Sequence, residues 1–292
     1  VCASRETGGD TACMARATRY ADALMALQRH GGFFPAWVRR DDLRTVRYCT
    51  RSAETAAHIV FLETLYGVTG NNAYLHSCRR ALNFLIRHVV ADSRWTTTES
   101  AEGPTLDRPR GLDPRQKRFA ARVDALLETA QACVRMFERC GTARYLAAGR
   151  RVVNEAALYQ QAWQPEWSSI PLCGMLRAGN TEATWDAATT SAAATVFAAY
   201  YRACGLTEYM TRAIAALRAC VAWAADDESG SPRVPGSCTF TFPVAPKITP
   251  SDDDATGSVL CAEEEMMREY GDLYVDTARG RAFGIGGVTV DA

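Results

Sequence analysis

Two stretches of the chain set indole rings beside carboxylates. Residues 28–42 read Gln-Arg-His-Gly-Gly-Phe-Phe-Pro-Ala-Trp-Val-Arg-Arg-Asp-Asp, and residues 161–186 contain Trp163, Glu166, Trp167, Asn180, Glu182, Trp185 and Asp186. Trp37, Trp163, Trp167 and Trp185, four of the six tryptophans, lie in these stretches. An indole face stacks on the apolar face of a sugar ring, and Asp, Glu, Asn and Arg bond its hydroxyls. The pattern therefore suits a carbohydrate cleft, although each ring could equally cover the end of an apolar helix. Trp37, Arg39, Asp41, Trp163, Glu166, Trp167, Asn180 and Trp185 are the expected substrate contacts. Arg39 and Arg40 are candidates to hold an acidic sugar.

Cutting a glycosidic bond by acid–base chemistry needs two groups facing each other across it, commonly carboxylates. Asp41, Asp42, Glu102, Asp107, Glu166, Glu182 and Asp186 are the loop candidates. Asp186 begins an apolar segment, where a short acid caps a helix by accepting backbone N–H bonds. A carboxylate held that way suits a base or stabiliser better than a proton donor. Glu182, without such a tie, is the expected donor, so the catalytic pair read here is Glu182 and Asp186.

Other chemistry has weaker support. Ser251 to Thr256 (Ser-Asp-Asp-Asp-Ala-Thr) resembles the Asp-x-Asp-Asp-Thr motif of class II terpene cyclases, but Ser251 and Ala255 depart from it. An acid-rich helix start, favoured by the helix dipole, explains the same residues. The histidines show no metal-ligand spacing, and there is no Gly-rich phosphate loop or nucleophile elbow. No cofactor is expected. The 33 basic and 33 acidic residues leave no net field to attract nucleic acid. No apolar run is long enough to span a membrane. The eleven cysteines, mostly at helix core positions, read as reduced thiols. The alternative is a disulfide involving Cys2, Cys13, Cys49 or Cys238. No signal peptide is present in this chain, which starts at Val1.

These loops need a scaffold, and a repeat supplies it. Tyr66–Gly70–Tyr74, Phe137–Gly141–Tyr145 and Tyr201–Gly205–Tyr209 share one spacing, and the glycines are 71 and 64 residues apart. Before each Gly lies an apolar segment, as in Ala-Ala-Thr-Thr-Ser-Ala-Ala-Ala-Thr-Val-Phe-Ala-Ala-Tyr-Tyr at 187–201. After it comes an amphipathic one, as where Tyr74, Cys78, Ala81, Leu82 and Leu85 oppose Arg79, Arg80, Asn83 and Arg87. Each unit is then a buried inner helix, a tight turn at a left-handed Gly, and a half-exposed outer helix. Inner helices are expected near 54–66, 120–137 and 187–201, and outer helices near 73–88, 144–160 and 207–225. The middle unit is less clean, because Arg122, Asp124, Glu128 and Arg135 fall in its inner helix. The aromatics flanking each Gly are expected to pack across the turn. The short turns then lie at one end of the hairpins and the long connections, 30–52, 88–119, 161–186 and 226–256, at the other. Long loops on one face of a rigid scaffold are where sites are usually built.

Residues 13–29 read as an outer helix and 257–270 as an inner one, so the two pair to close a ring of four hairpins, or the chain is part of a larger ring. A single domain over 1–292 is expected. With such hairpins the sequence resembles the (α/α)-toroid superfamily of six-hairpin glycosidases, which includes glycoside hydrolases and polysaccharide lyases. The residues that carry this are Ala-Leu-Gln-Arg-His-Gly-Gly-Phe-Phe-Pro at 26–35, like the Gln-x-x-Gly-Gly-Trp/Phe-Pro loop ends of that group, and Tyr-Gly-Val-Thr-Gly-Asn-Asn-Ala-Tyr-Leu at 66–75. Tyr270 to Asp276 with Phe283-Gly284-Ile285 is similar to the short β tail after the last helix. The resemblance implies an all-α (α/α) toroid and a glycoside hydrolase or polysaccharide lyase with a carbohydrate substrate. A non-catalytic carbohydrate-binding toroid and a terpene-cyclase-like enzyme are the alternatives.

Overall fold

Helix formation follows the apolar and amphipathic segments closely. The computed structural model describes residues 11–36, 38–42, 50–93, 95, 97–100, 103–106, 121–180, 183–226, 232–240, 247–249, 253–276 and 282–290. Among these, eight α-helices carry the fold: α1 (Thr11–Leu27), α2 (Ser52–Thr69), α3 (Asn72–Leu85), α4 (Val123–Cys140), α5 (Ala143–Ala157), α6 (Ala187–Cys204), α7 (Thr207–Trp223) and α8 (Asp253–Tyr270). A π-helical turn, Ile86–Val90, prolongs α3. The chain divides into two compact units, Val1–Ala120 with Glu128–Arg151, and Ala121–Leu127 with Val152–Ala292.

In the first unit α2 and α3 form a hairpin, and α1 packs on both. Its core includes Ile59, Leu62, Leu65, Cys78, Leu82 and Leu85, all fully buried. Glu63, the one acid on the buried stretch of α2, is only 3% exposed. Arg135 Nε lies 3.0 Å from its Oε2, and Arg139 Nη2 lies 2.6 Å from its Oε1. Arg135, one of the charged residues that make the α4 segment less clean, thus partners the buried acid of α2.

In the second unit α6 and α7 form the hairpin, and α8 packs against both. The alanine-rich α6 buries Ala187, Thr190, Ser191, Ala193, Ala194, Val196, Phe197, Ala198 and Tyr200. Three short antiparallel strands, β8 (Tyr274–Asp276), β9 (Ala282–Ile285) and β10 (Val288–Val290), form the expected tail and lean on α7.

The hairpin glycines behave as the spacing requires. Gly70, Gly141 and Gly205 have φ of 69°, 65° and 69°. Their N–H groups donate back to Tyr66, Phe137 and Tyr201 at 2.8, 2.7 and 2.7 Å. Gly271 repeats the arrangement after α8, with φ of 93°. The aromatic contacts are shifted from those expected. Tyr209 packs on Tyr200, at 5.7 Å between centroids, while Tyr201 turns to Tyr270 of α8 at 6.1 Å. One residue of helix is about 100° of rotation, so Tyr200 faces the returning helix and Tyr201 the next one.

The long connections also hold short strands. These are the hairpin β1 (Thr97–Ser100) with β2 (Gly103–Leu106), the sheet β3 (Thr184–Asp186), β6 (Ser237–Thr239) and β7 (Lys247–Thr249), and the pair β4 (Ala225–Asp226) with β5 (Pro232–Arg233). Among the described residues no helix is long and apolar enough to cross a membrane. Cys78, Cys133, Cys220 and Cys238 are buried thiols outside any disulfide. Cys2 and Cys49 lie outside the described residues.

Candidate functional site

The loop between α5 and α6 is built by its own polar side chains. Gln164 is the hub: its amide nitrogen donates to the carbonyls of Ser168 (3.0 Å) and Ile170 (2.9 Å). Its amide oxygen accepts from the N–H of Leu172 (2.8 Å) and Cys173 (3.4 Å). Below the hub, Gly174 takes φ 98°, and a Cβ there would lie 2.1 Å from the carbonyl oxygen of Ala215. The loop therefore sits directly on the backbone of α7. Gln160 adds two anchors, from its Nε2 to the carbonyls of Gly174 (3.2 Å) and Arg212 (3.0 Å). The Trp223 indole N–H donates to the Pro171 carbonyl.

An aromatic nest stands on this base. Strand β3 pairs with β6 so that Trp185 lies opposite Cys238. Trp185 is 4% exposed and belongs to the apolar cluster of Leu172, Met175, Trp223 and Cys238. Phe240 meets its ring edge-to-face at 5.4 Å, and the Arg177 guanidinium lies 5.7 Å from its centroid. The Trp185 Nε1 is buried without a hydrogen-bond partner. Trp167 packs edge-to-face on Phe240 at 4.8 Å and tilts towards Trp185 at 6.4 Å, yet stays 54% exposed. Trp163, on the same loop, is 68% exposed, and Glu166 is exposed. The structure thus joins Trp167 and Trp185 through Phe240, a residue the sequence reading passed over. The alternation Ser237-Cys238-Thr239-Phe240 was the signal that could have found it, because a period of two places Cys238 and Phe240 on one face.

Asp186 caps α6. Its Oδ1 accepts from the Thr189 N–H at 2.6 Å, and its carbonyl accepts from the Thr190 hydroxyl at 2.6 Å. Cys220 lies close enough that the Asp186 charge, added to burial, pushes its thiol well up. Asn180 uses its Oδ1 to accept the Ala121 N–H at 2.8 Å, which ties the loop to the start of α4. The proposed proton donor Glu182 lies outside the described residues, as do Trp37, Glu102 and Asp107.

In the first unit, Arg39 and Asp41 form a forked pair, Nη2 to Oδ2 at 2.7 Å and Nε to Oδ1 at 3.2 Å. Asp42 approaches the same guanidinium at 3.6 Å. The Arg39 guanidinium holds the Asp41 carboxyl below the usual carboxylate range. Among the described residues no cluster of three His, Cys, Asp or Glu side chains could hold a metal ion.

No sequence-family model matches the chain, and no curated protein matches it by sequence. Solved structures do match. The GH76A α-1,6-mannanase of Salegentibacter sp. HEL1_6 aligns over 89% of this chain and 65% of its own, with 14% identity and a TM-score of 0.63. An unsaturated glucuronyl hydrolase from Streptococcus agalactiae aligns over 89% of this chain and 66% of its own, with 14% identity and a TM-score of 0.66. A D-mannose isomerase aligns over 79% of this chain and 56% of its own, with 11% identity and a TM-score of 0.56. The chain therefore spans less than two thirds of the length of these proteins. At such identities the likeness is one of fold, an (α/α) toroid.

Proposed function

We propose that the protein is a carbohydrate-active enzyme that cleaves glycosidic bonds of an oligo- or polysaccharide on its long-loop face. The observation that carries this is Trp167. A large apolar ring left 54% exposed, yet locked edge-to-face on Phe240 and backed by Trp185, is a rigid platform of the kind a sugar ring stacks on. The fold supports the substrate class, since an inactive variant of the Salegentibacter mannanase is seen in complex with α-1,6-mannotriose. In this reading Trp163 and Trp167 are platforms, and Trp185 supports Trp167 from within the core. Glu166 and Asn180 bond hydroxyls. Glu182 gives its proton to the leaving oxygen, and Asp186, fixed by the helix start, acts as base or stabiliser.

One observation favours a second reading, a non-catalytic carbohydrate binder: an oxygen of Asp186 is already engaged in capping α6. Incubation with a panel of neutral and acidic polysaccharides, with product analysis, separates the two. An enzyme releases shortened chains, and Glu182→Gln and Asp186→Asn each lower turnover at least about a hundredfold. Full activity in both variants removes them from catalysis. Retention of a glycan by wild type but not by Trp167→Ala, with no product formed, supports the binder.

A further inference from the structure

The packing of the Gln-Arg-His-Gly-Gly-Phe-Phe-Pro loop creates a second site. Gln28 clamps the loop, its Nε2 donating to the carbonyls of Gly32 (2.7 Å) and Ser77 (3.0 Å), while the Ser77 hydroxyl donates to Gln28 Oε1 at 2.9 Å. Gly32 takes φ 103°, and a Cβ there would lie 2.3 Å from the Arg80 carbonyl oxygen. The loop thus lies flat on α3 and forms a fixed wall beside that helix's outer face.

Between wall and helix is a cavity of about 180 Å³, lined by His30, Arg80, Asn83, Phe84, Arg87 and His88. That is room for several waters or a small polar group. Phe84, which lines it, is 5% exposed and meets the rings of Phe33 and His88 in tilted contacts at 5.0 Å each. The rim carries two guanidinium groups and two imidazoles, and among the described residues no carboxylate lines the cavity. Arg80 is held in place, its Nη2 donating to the Arg29 carbonyl at 2.7 Å. The Asn83 oxygen is engaged by Arg144, so the guanidinium of a further Arg stands beside the rim. Like charges gathered in one place disfavour one another until an anion joins them.

We infer that this cavity binds a tetrahedral oxyanion, a sulfate or phosphate group, free or esterified to a sugar. Arg80 and Arg87 donate charge-assisted bonds to its oxygens. His30 and His88 complete the ring of donors, and Phe84 supplies a face for the sugar carbon skeleton. The site lies wholly in the first unit, and it acts as an anchoring point.

Calorimetric titration of the whole chain at low ionic strength with inorganic sulfate, inorganic phosphate, a glucose sulfate monoester and glucose tests this. The oxyanions should bind with millimolar or tighter affinity, and glucose alone should not. Arg87→Gln should weaken binding at least about tenfold, the scale of one charge-assisted bond, with an unchanged melting temperature. Arg80→Gln/Arg87→Gln should abolish it. If the double variant unfolds because Arg80 also ties the loop, the single Arg87 variant decides. A monoester that binds more tightly than inorganic sulfate assigns the site to a modified glycan; equal affinities assign it to the free ion. No binding by wild type, equal binding of glucose, or unchanged affinity in Arg87→Gln overturns the inference.

Discussion

Replacing Gln164 with Ala removes the hub of the tryptophan loop without touching a core side chain. Four hydrogen bonds go, three between 2.8 and 3.0 Å and one at 3.4 Å. Water reaches this side chain, so each bond is taken at the low end of the usual range, about 0.5 kcal/mol, and the set contributes about 2 kcal/mol. That corresponds to about a 30-fold rise in the population of the opened loop, at about 1.4 kcal/mol per factor of ten. The opening is local, because Gly174 and Gln160 still pin the far end, so the global melting temperature should move little. Hydrogen exchange read by NMR is the assay. The Leu172 amide should exchange about 30-fold faster in Gln164→Ala, while amides in the middle of α6 stay protected. If the loop carries a sugar platform, glycan affinity falls in parallel, because Trp163 and Trp167 flank the hub. Unchanged Leu172 protection would mean that the loop is held by its contacts with α7 alone, and the reasoning fails.

Other outcomes follow from single positions. Gly205→Ala should cost about 1 kcal/mol, the strain of a left-handed Ala with open space around it, whereas Gly174→Ala should cost clearly more because its Cβ meets the Ala215 carbonyl; equal denaturant midpoints would refute this ranking. Glu63→Gln should lower stability by about 1–2 kcal/mol, less than for a fully buried pair because Arg135 and Arg139 are 37% and 38% exposed; a urea midpoint equal to wild type would mean that water already balances those two charges. His58 is half-buried against Phe34 at 5.2 Å, and this partial burial, outweighing the nearby Glu54 charge, lowers its pKa below 6.5. The unfolded chain then takes up the proton first, so the stabilisation is present above pH 6.5 and is lost as pH falls from there towards the folded value. The melting temperature of wild type should drop across that window and that of His58→Gln should drop less, and parallel pH profiles would contradict the assignment.

The scaffold was legible in the chain because its causes are local. An apolar segment, a Gly that can turn left-handed, and an amphipathic segment each act within a few residues. The spacing around Gly70, Gly141 and Gly205 therefore located the turns, and the capping role of Asp186 was readable from its place before Ala187. The charge of Arg135 in the α4 segment was readable too, but not its partner: Glu63 and Arg135 are far apart in sequence, and only the folded chain brings the one to neutralise the other. The same holds for the site. In sequence Trp163, Trp167 and Trp185 are equivalent loop tryptophans. Strand β6 pairs with β3 from another long connection, and Cys238 and Phe240 then bury Trp185 while leaving the face of Trp167 open. The loop between them takes its shape from an amide, Gln164, that composition cannot distinguish from a solvated one. Its bonds run to backbone groups, which every residue carries. The same is true of the 28–35 loop, whose motif was visible while the basic cavity it walls was not. Helix periodicity is written in side-chain type, but the shape of a loop is decided by which distant backbone its few polar groups reach.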